Sequence, residues 1–544
     1  MARTELARML RRIADDHRTG DRLGIPADEV PARRAAALDR RSFLAGTAAL
    51  GVGAAVFSAG IRPARAAAQP RIAIIGAGIS GLAAALQLQD KGLTSTVYEA
   101  GSRVGGRMYS SMSGSYWDAS QVSEWGGELI DTNHKIIQTL AKRFGLPLDD
   151  LIGAEPNQST QTFYLGGAYY PYTVASNDFQ PVHQAILGDM QSFTWPVTWN
   201  SNPTAAGIAL SNMTLYDWIE TRVPGGHSSK FGQLLDIAYN IEYGAETGAQ
   251  TALSLLGLLG YQPNPGNFRM FGISDERYHI SGGNQQLPLA IQAALPSGTV
   301  QKGWQLTALV QNTNGTQTLT FTLSGGGTKT VVTDHTILAV PLGVMKRLDF
   351  SKAQFDARKT GAFAALGMGR NCKLQLQFSD RLWNGSGAWG ISNGDTYADT
   401  GYQNTWDVTR AQSGTQGILV DYTGGNIAGA FSPSAPFSTA ASGQVTAYAQ
   451  TFLRQLEPVL PGITQRWTGK ATLSAWHLNP YSYGSYSYWP TGYCQNYAGY
   501  EGVRQGNIHF AGEHCSINFQ GYMEGGAEQG QRAAGEIITD LGIH

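Results

Sequence analysis

The chain has 544 residues, 42% of them hydrophobic and 15% charged, with a formal net charge of −1. That length accommodates two large domains or about three average ones, and the composition excludes a disordered segment. The near-zero charge excludes a general nucleic-acid binder, while 68 glycines without a collagen period point to backbone that comes close to something else.

The charge is unevenly spread. Residues 1–68 hold 12 arginines against 7 acidic residues, net +5, and the remainder is acidic at −6. Arg40-Arg41-Ser42-Phe43-Leu44, a weakly hydrophobic stretch over 44–61 and Ala64-Arg65-Ala66 read as a twin-arginine (Tat-type) export signal with a small-residue cleavage site. A membrane anchor is the competing reading, but the stretch is diluted by Ala, Gly, Thr and Ser, short of the roughly 20 strongly apolar residues of a stable span. The expectation is a periplasmic or extracellular protein with no membrane span after cleavage. Export of this type carries folded, often cofactor-loaded proteins, which favours a bound redox group. Cys372, Cys494 and Cys515 are too few for a disulfide framework and too scattered for a CxxC metal site, and pairing of two of them stays open.

The first element past the leader is a short apolar run, Arg71-Ile72-Ala73-Ile74-Ile75, read as a buried parallel strand. Gly76-Ala77-Gly78-Ile79-Ser80-Gly81 follows at the turn into an Ala/Leu-rich helix. In this G-x-G-x-x-G, Gly76 permits the tight turn, Gly78 lets backbone approach a pyrophosphate and Gly81 lets helix and strand pack closely. The free N–H groups of the helix start at Ile79 and Ser80 face the phosphates. A second strand over 94–98 leads to Glu99, placed to accept hydrogen bonds from a ribose diol, with Ala100 beside it. Strand, glycines, helix, strand and acid in this order read as a dinucleotide site.

Arg103-Val104-Gly105-Gly106-Arg107 then resembles the RxGGR segment of the FAD-dependent amine oxidase superfamily. The resemblance continues through Glu124-Trp125-Gly126-Gly127-Glu128, similar to the strand that runs beneath the flavin. It extends to Asp275-Glu276-Arg277-Tyr278 with Gly282-Gly283, and to the strand around Leu306, where the family usually has valine. Val340-Pro341-Leu342-Gly343-Val344 and the C-terminal Phe510-Ala511-Gly512-Glu513 through Gly521-Tyr522-Met523-Glu524-Gly525 complete it. It implies that the residues named in the G-x-G-x-x-G, with Glu99, Ala100, Arg107, Gly126, Gly127, Glu128, Leu306, Glu513 and Met523, hold FAD. It also implies an α/β fold in which a Rossmann-like FAD-binding domain (70–148, 280–362, 479–544) is interleaved with a substrate domain of mixed sheet plus helices (149–279, 363–478). Residues 263–268 and 413–429 are expected to be loops.

The same resemblance implies three catalytic residues. Tyr522 precedes a helix-like run whose first N–H groups can meet the flavin edge that becomes anionic on reduction. Tyr486, within a tyrosine-rich segment at 476–492, takes the other wall of an aromatic cage, with Trp476 at the substrate. Lys373 lies on a strand that brings it near flavin N5, where it would hold a water and stabilise charge as oxygen is reduced. The alternatives are a core tyrosine, a half-buried strand and a surface lysine. Ser485 stands where monoamine oxidases carry their flavin-bound cysteine, so FAD is expected to be non-covalent.

The implied reaction converts a C–H next to an amine nitrogen to an imine, which water hydrolyses, and reduces O2 to hydrogen peroxide. No HExxH or comparable metal cluster is present. The arginine that binds the substrate carboxylate in L-amino-acid oxidases is missing after Gly127, and Glu128 or Asp131 would attract a cationic amine, which favours an amine substrate. The amino-acid reading is kept open by Gly512-Glu513-His514 and by Arg277 or Arg370 as a carboxylate clamp. A flavin dehydrogenase or desaturase and a non-catalytic flavoprotein are the more distant readings.

Overall fold

Ile72–Ile75 has four consecutive buried residues and lies at the centre of a five-stranded sheet, the expected position of a strand covered on both faces. The structure is a computed structural model that describes residues 69–543 apart from 113, 115 and 263–267. The export signal read at 1–68 and most of the 263–268 loop lie outside the described residues.

The sheet is entirely parallel, in the order Ile508–Phe510, His335–Leu338, Ile72–Ile75, Thr96–Glu99, Val300–Lys302. Helix Ile79–Asp90 follows the first strand, and the last helix, Met523–Asp540, packs against it. Close packing depends on missing side chains. A Cβ on Gly530 would stand 2.0 Å from the Ser80 carbonyl oxygen, and one on Gly81 would stand 2.0 Å from that of Gly76. This is a Rossmann-like dinucleotide unit, and it begins as expected, with the second strand displaced to Thr96–Glu99.

A second layer is an eight-stranded mixed sheet, antiparallel except where Ser392–Ala398 pairs in parallel with Thr160–Leu165. An interior strand, Asn371–Phe378, third in the sheet order, is buried at every position. Helices Tyr172–Gln191, Lys230–Tyr243 and Ala252–Leu259 supply about a third of the large apolar cluster that also takes in residues of both sheets. From Pro70 onward the chain packs as one unit, with the strands of the two sheets alternating along the sequence. Among the described residues no helix is long and apolar enough to cross a membrane, and all three cysteines are buried thiols.

One local expectation is corrected and one alternative falls. The stretch 413–429 is not a loop: Gly417–Gly424 is a buried strand and Gly425–Gly429 a short helix. Its glycines serve packing, since a Cβ on Gly424 would meet the Asn240 carbonyl oxygen at 2.5 Å. The tyrosine-rich segment, by contrast, is mostly irregular; only Ser487–Tyr488 forms a strand, and Tyr483 adopts φ +54°.

Candidate active site

One cavity of about 1,110 Å³ runs from the glycine turn of the parallel sheet to the faces of Tyr486 and Tyr522. At its nucleotide end Gly76 takes φ +102° and donates its N–H to the Tyr98 carbonyl at 2.8 Å. A Cβ on Gly78 would project into open space at the cavity wall, where a ligand's phosphates would lie. Glu99 lines the wall with Ala100, and its two carboxylate oxygens accept N–H bonds from Ala77 and Gly101, both at 2.8 Å. Each oxygen keeps a lone pair for a diol. Ile79, Ser80, Gly126, Gly127, Leu306 and Met523 also line the cavity.

The residues present fit a bound FAD. The Ser80 hydroxyl and both polar atoms of the Gln520 amide are buried without a hydrogen-bond partner among the described residues, and both side chains line the cavity. Buried polar atoms of this kind require a partner, and a polar cofactor would supply one. The N–H groups of two helix starts, at Ile79 and at Met523, meet the same cavity.

Arg107 and Glu513 line the cavity, but their charges are spent on each other. Arg107 Nη1 lies 2.9 Å from Glu513 and donates to the Ser485 carbonyl at 2.8 Å. Glu513 also accepts from Ser487 Oγ at 2.8 Å and from the Gly521 N–H at 3.0 Å. It therefore ties the loop bearing Tyr486 to the turn bearing Tyr522. Burial opposes its ionisation, but Arg107 and these donors hold its pKa below the ordinary range.

Lys373 is buried, which removes the surface-lysine alternative. It sits on strand Asn371–Phe378 opposite Tyr422 and Ser474, with its Nζ 2.6 Å from Glu128 Oε2. Trp406 Nε1 donates to the other Glu128 oxygen at 2.9 Å. Burial disfavours the Glu128 anion, yet the neighbouring Lys373 charge and these bonds keep its pKa below the usual value. Glu128 is thus a neutralised partner of Lys373, and the expectation that it attracts a cationic substrate is corrected. Asp131 is corrected too. It is fully buried outside the cavity, accepting from Ser274 Oγ at 2.8 Å and from the Glu276 N–H at 2.9 Å.

Tyr486 and Tyr522 face the same space, with no ring contact joining them. The Tyr486 hydroxyl donates to the Ile241 carbonyl at 2.9 Å and lies 2.8 Å from the Tyr422 hydroxyl. Tyr522 caps the final helix, with its hydroxyl 3.3 Å from Ser274 Oγ and 3.4 Å from Glu242 Oε1. Burial keeps both phenols neutral by raising their pKa. Trp476 also lines the cavity, its indole N–H bonded to the Trp125 carbonyl at 2.7 Å. Ser485 Oγ donates to Asn371 Oδ1 at 2.6 Å.

Neither proposed carboxylate clamp reaches the site. Arg277 pairs with Asp150 at 2.6 Å, and neither Arg277 nor Arg370 lines the cavity. The cavity arginines that sequence reasoning missed are Arg269 and Arg410, the latter paired with Glu155 at 2.8 Å. Glu242, Asp395, Trp406 and Tyr422 were also missed, because sheet register and helix phase bring them together without any spacing signal. Among the described residues, His335, His509 and Asp540 offer ligand atoms within 4.8 Å of one another away from the cavity, with Asp540 held by Arg504 and His509 by Glu536.

A parallel nucleotide-binding sheet, a second mixed sheet and one cavity linking glycine turn to paired tyrosines define a flavin-dependent oxidoreductase. The model of the flavin containing amine oxidoreductases matches residues 79–538, and the chain belongs to that family. It is 25% identical over 500 residues to a putative L-amino-acid oxidase, YobN, of Bacillus subtilis (strain 168), covering 86% of this chain and 94% of that protein. Its fold is similar to that of cyclohexylamine oxidase from Brevibacterium oxydans IH-35A, with TM-score 0.71, 21% identity, and coverage of 87% of this chain and 100% of the other. Putrescine oxidase bound to putrescine is similarly close in fold, at TM-score 0.68 and 20% identity, covering 87% of this chain and 99% of that one.

Proposed function

We propose that this chain is an oxidase of small primary or secondary amines, working with non-covalently bound FAD and O2. The observation that carries the reading is the single cavity in which Lys373, Tyr486 and Tyr522 meet the dinucleotide cradle. Bound FAD supplies a two-electron acceptor that takes a hydride equivalent from the C–H beside the amine nitrogen and passes both electrons to O2, leaving an imine for hydrolysis and hydrogen peroxide. The protein orients the amine between two neutral phenol rings whose hydroxyls are fixed by Ile241, Tyr422 and Ser274. The Lys373 ammonium, held by Glu128, presents a positive charge where negative charge develops as oxygen is reduced. Ser485 cannot form a thioether, which supports non-covalent binding. Export through the Arg40-Arg41 leader is part of the proposal and predicts periplasmic or extracellular activity.

Oxidation of an L-amino acid is the second reading, favoured by one observation. Arg269 lines the cavity and its guanidinium makes no hydrogen bond or ion pair among the described residues, leaving a cation for a carboxylate. Relatives divide the same way by name, into a putative L-amino-acid oxidase and two amine oxidases. The test is anaerobic mixing of the flavin-loaded chain with amines and amino acids, followed by air. Bleaching with peroxide on re-aeration supports the reading, and no bleaching by any of them defeats it.

A further inference from the structure

Three of the carboxylates that line the cavity are held in ion pairs. Glu128 is held by Lys373, Glu155 by Arg410 and Glu513 by Arg107. Asp275 accepts from the Thr132 N–H and hydroxyl, and Glu99 from two backbone N–H groups. Glu242, Glu276 and Asp395 have neither an ion-pair partner nor a backbone N–H donor to their carboxylates among the described residues, although the Arg410 charge reaches Glu276 and Asp395 from its pair with Glu155. Among the described residues the Glu242 carboxylate is bonded only by the Tyr522 hydroxyl, and that of Asp395 only by the amides of Gln161 and Asn404. The Glu276 carboxylate has no hydrogen-bond partner among the described residues, although its backbone is held in place at φ +48° by the bond from its N–H to Asp131. A non-glycine residue in that conformation is costly and is retained where the surroundings enforce it.

Three carboxylates in one enclosed space repel each other. Burial and then the neighbouring Asp131, Glu242 and Asp395 charges push the Glu276 pKa well up against the opposing Arg410 charge, and burial raises Glu242 to about 7 and, despite Arg410, Asp395 to about 6. Aromatic faces of Tyr397, Trp406, Tyr422 and the two cage tyrosines line the same space, and electron-rich rings favour a cation. We propose that the cavity selects a substrate bearing a second cationic group, an ammonium or guanidinium, received by Glu276 with Glu242 and Asp395 while the reacting nitrogen lies between Tyr486 and Tyr522. The proposal rests on the oxidase reading above. Diamines and L-amino acids with a basic side chain both carry this chemistry, and the second class would also use Arg269.

The experiment compares matched pairs on the flavin-loaded enzyme: 1,4-diaminobutane with n-butylamine, and L-lysine with L-norleucine, each by kcat/KM from peroxide release. The charged member of one pair is expected to lead by on the order of 100-fold, the scale of a desolvated charge contact. Which pair turns over tells diamine from amino acid. In E276Q, and separately in D395N, that ratio should narrow at least tenfold through KM, at unchanged flavin content. Equal or better turnover of the neutral-tailed members overturns the proposal, as does a ratio that survives in both flavin-loaded variants. Absence of turnover with all four compounds and no anaerobic bleaching with any amine or amino acid defeats the oxidase reading itself. If E276Q fails to load flavin, the wild-type pairs and D395N decide.

Discussion

Lys373 and Glu128, 245 residues apart in sequence, meet at 2.6 Å in the wall of the cavity, with Trp406 closing the second Glu128 oxygen. The lysine is therefore half of a buried neutral pair whose other half lies on the segment read as passing beneath the flavin. Its Nζ also stands 5.1 Å from the centre of the Trp406 ring, which adds a second favourable contact for the charge.

Replacing Lys373 by Met has two separable consequences. It leaves Glu128 buried without its cation, a loss of roughly 3–5 kcal/mol for a desolvated pair. On the proposed role it also removes a charge from the oxygen reaction, which should slow flavin reoxidation on the order of 100-fold while reduction by substrate slows far less. K373M/E128Q should recover a large part of the stability and none of the reoxidation rate. Denaturant unfolding and stopped-flow traces on the three proteins measure both; equal slowing of the two half-reactions rules out the role in oxygen chemistry.

Acid precipitation of the loaded enzyme should release its yellow chromophore to the supernatant if, as the resemblance implies, Ser485 stands at the position of the flavin-linked cysteine; its hydroxyl is engaged by Asn371. Colour retained in the pellet contradicts non-covalent binding. Ser485→Ala removes only that hydrogen bond and should cost about 1 kcal/mol of stability.

The nucleotide half of the site is legible in the sequence because its signals are local: Gly76, Gly81 and Glu99 lie within one strand-helix-strand unit, and each is explained by contacts within it or with the next strand. The tyrosines and Lys373 are legible only through resemblance, since nothing in the spacing of 373, 486 and 522 brings them together. Glu242 illustrates what stays hidden. It ends a helix capped by Ser229 and stopped by Gly244 at φ +64°, and only the packing of that helix against the mixed sheet turns its carboxylate toward Tyr522. Glu276 is hidden for another reason. It belongs to a quoted motif, but its left-handed backbone depends on Asp131, a residue that the sequence reading assigned to substrate.

Stability should fall between mildly acidic and neutral pH. Glu501 is buried against the Tyr493 hydroxyl at 2.7 Å, and Glu524 accepts the Ile136 and Ile137 N–H groups, both at 2.9 Å. Burial raises both from 4.5 to about 7. Between those values the native chain holds protons that the unfolded chain has released. Unfolding free energy therefore declines as pH rises from about 4.5 to about 7, then levels for these groups. Glu501→Gln should flatten that slope in urea titrations from pH 5 to 8, and an unchanged slope removes Glu501 from the account.

Tyr486 separates the work of an aromatic face from that of a hydroxyl. Its oxygen is committed to the Ile241 carbonyl and to Tyr422, so it is a fastener, and under the proposed function the ring is what the substrate meets. Tyr486→Phe keeps the ring and leaves the buried Tyr422 hydroxyl short of one partner, at a cost of about 1–3 kcal/mol in stability. Its anaerobic flavin reduction should stay within a few-fold of the parent. Tyr486→Leu keeps apolar bulk and loses the electron-rich face, so reduction should slow at least about tenfold, the rate equivalent of a cation-to-ring contact of 1–2 kcal/mol. Equal reduction rates in the Phe and Leu variants would mean that Tyr486 only fills space, whereas a loss in Phe as large as in Leu would assign the chemistry to the hydroxyl.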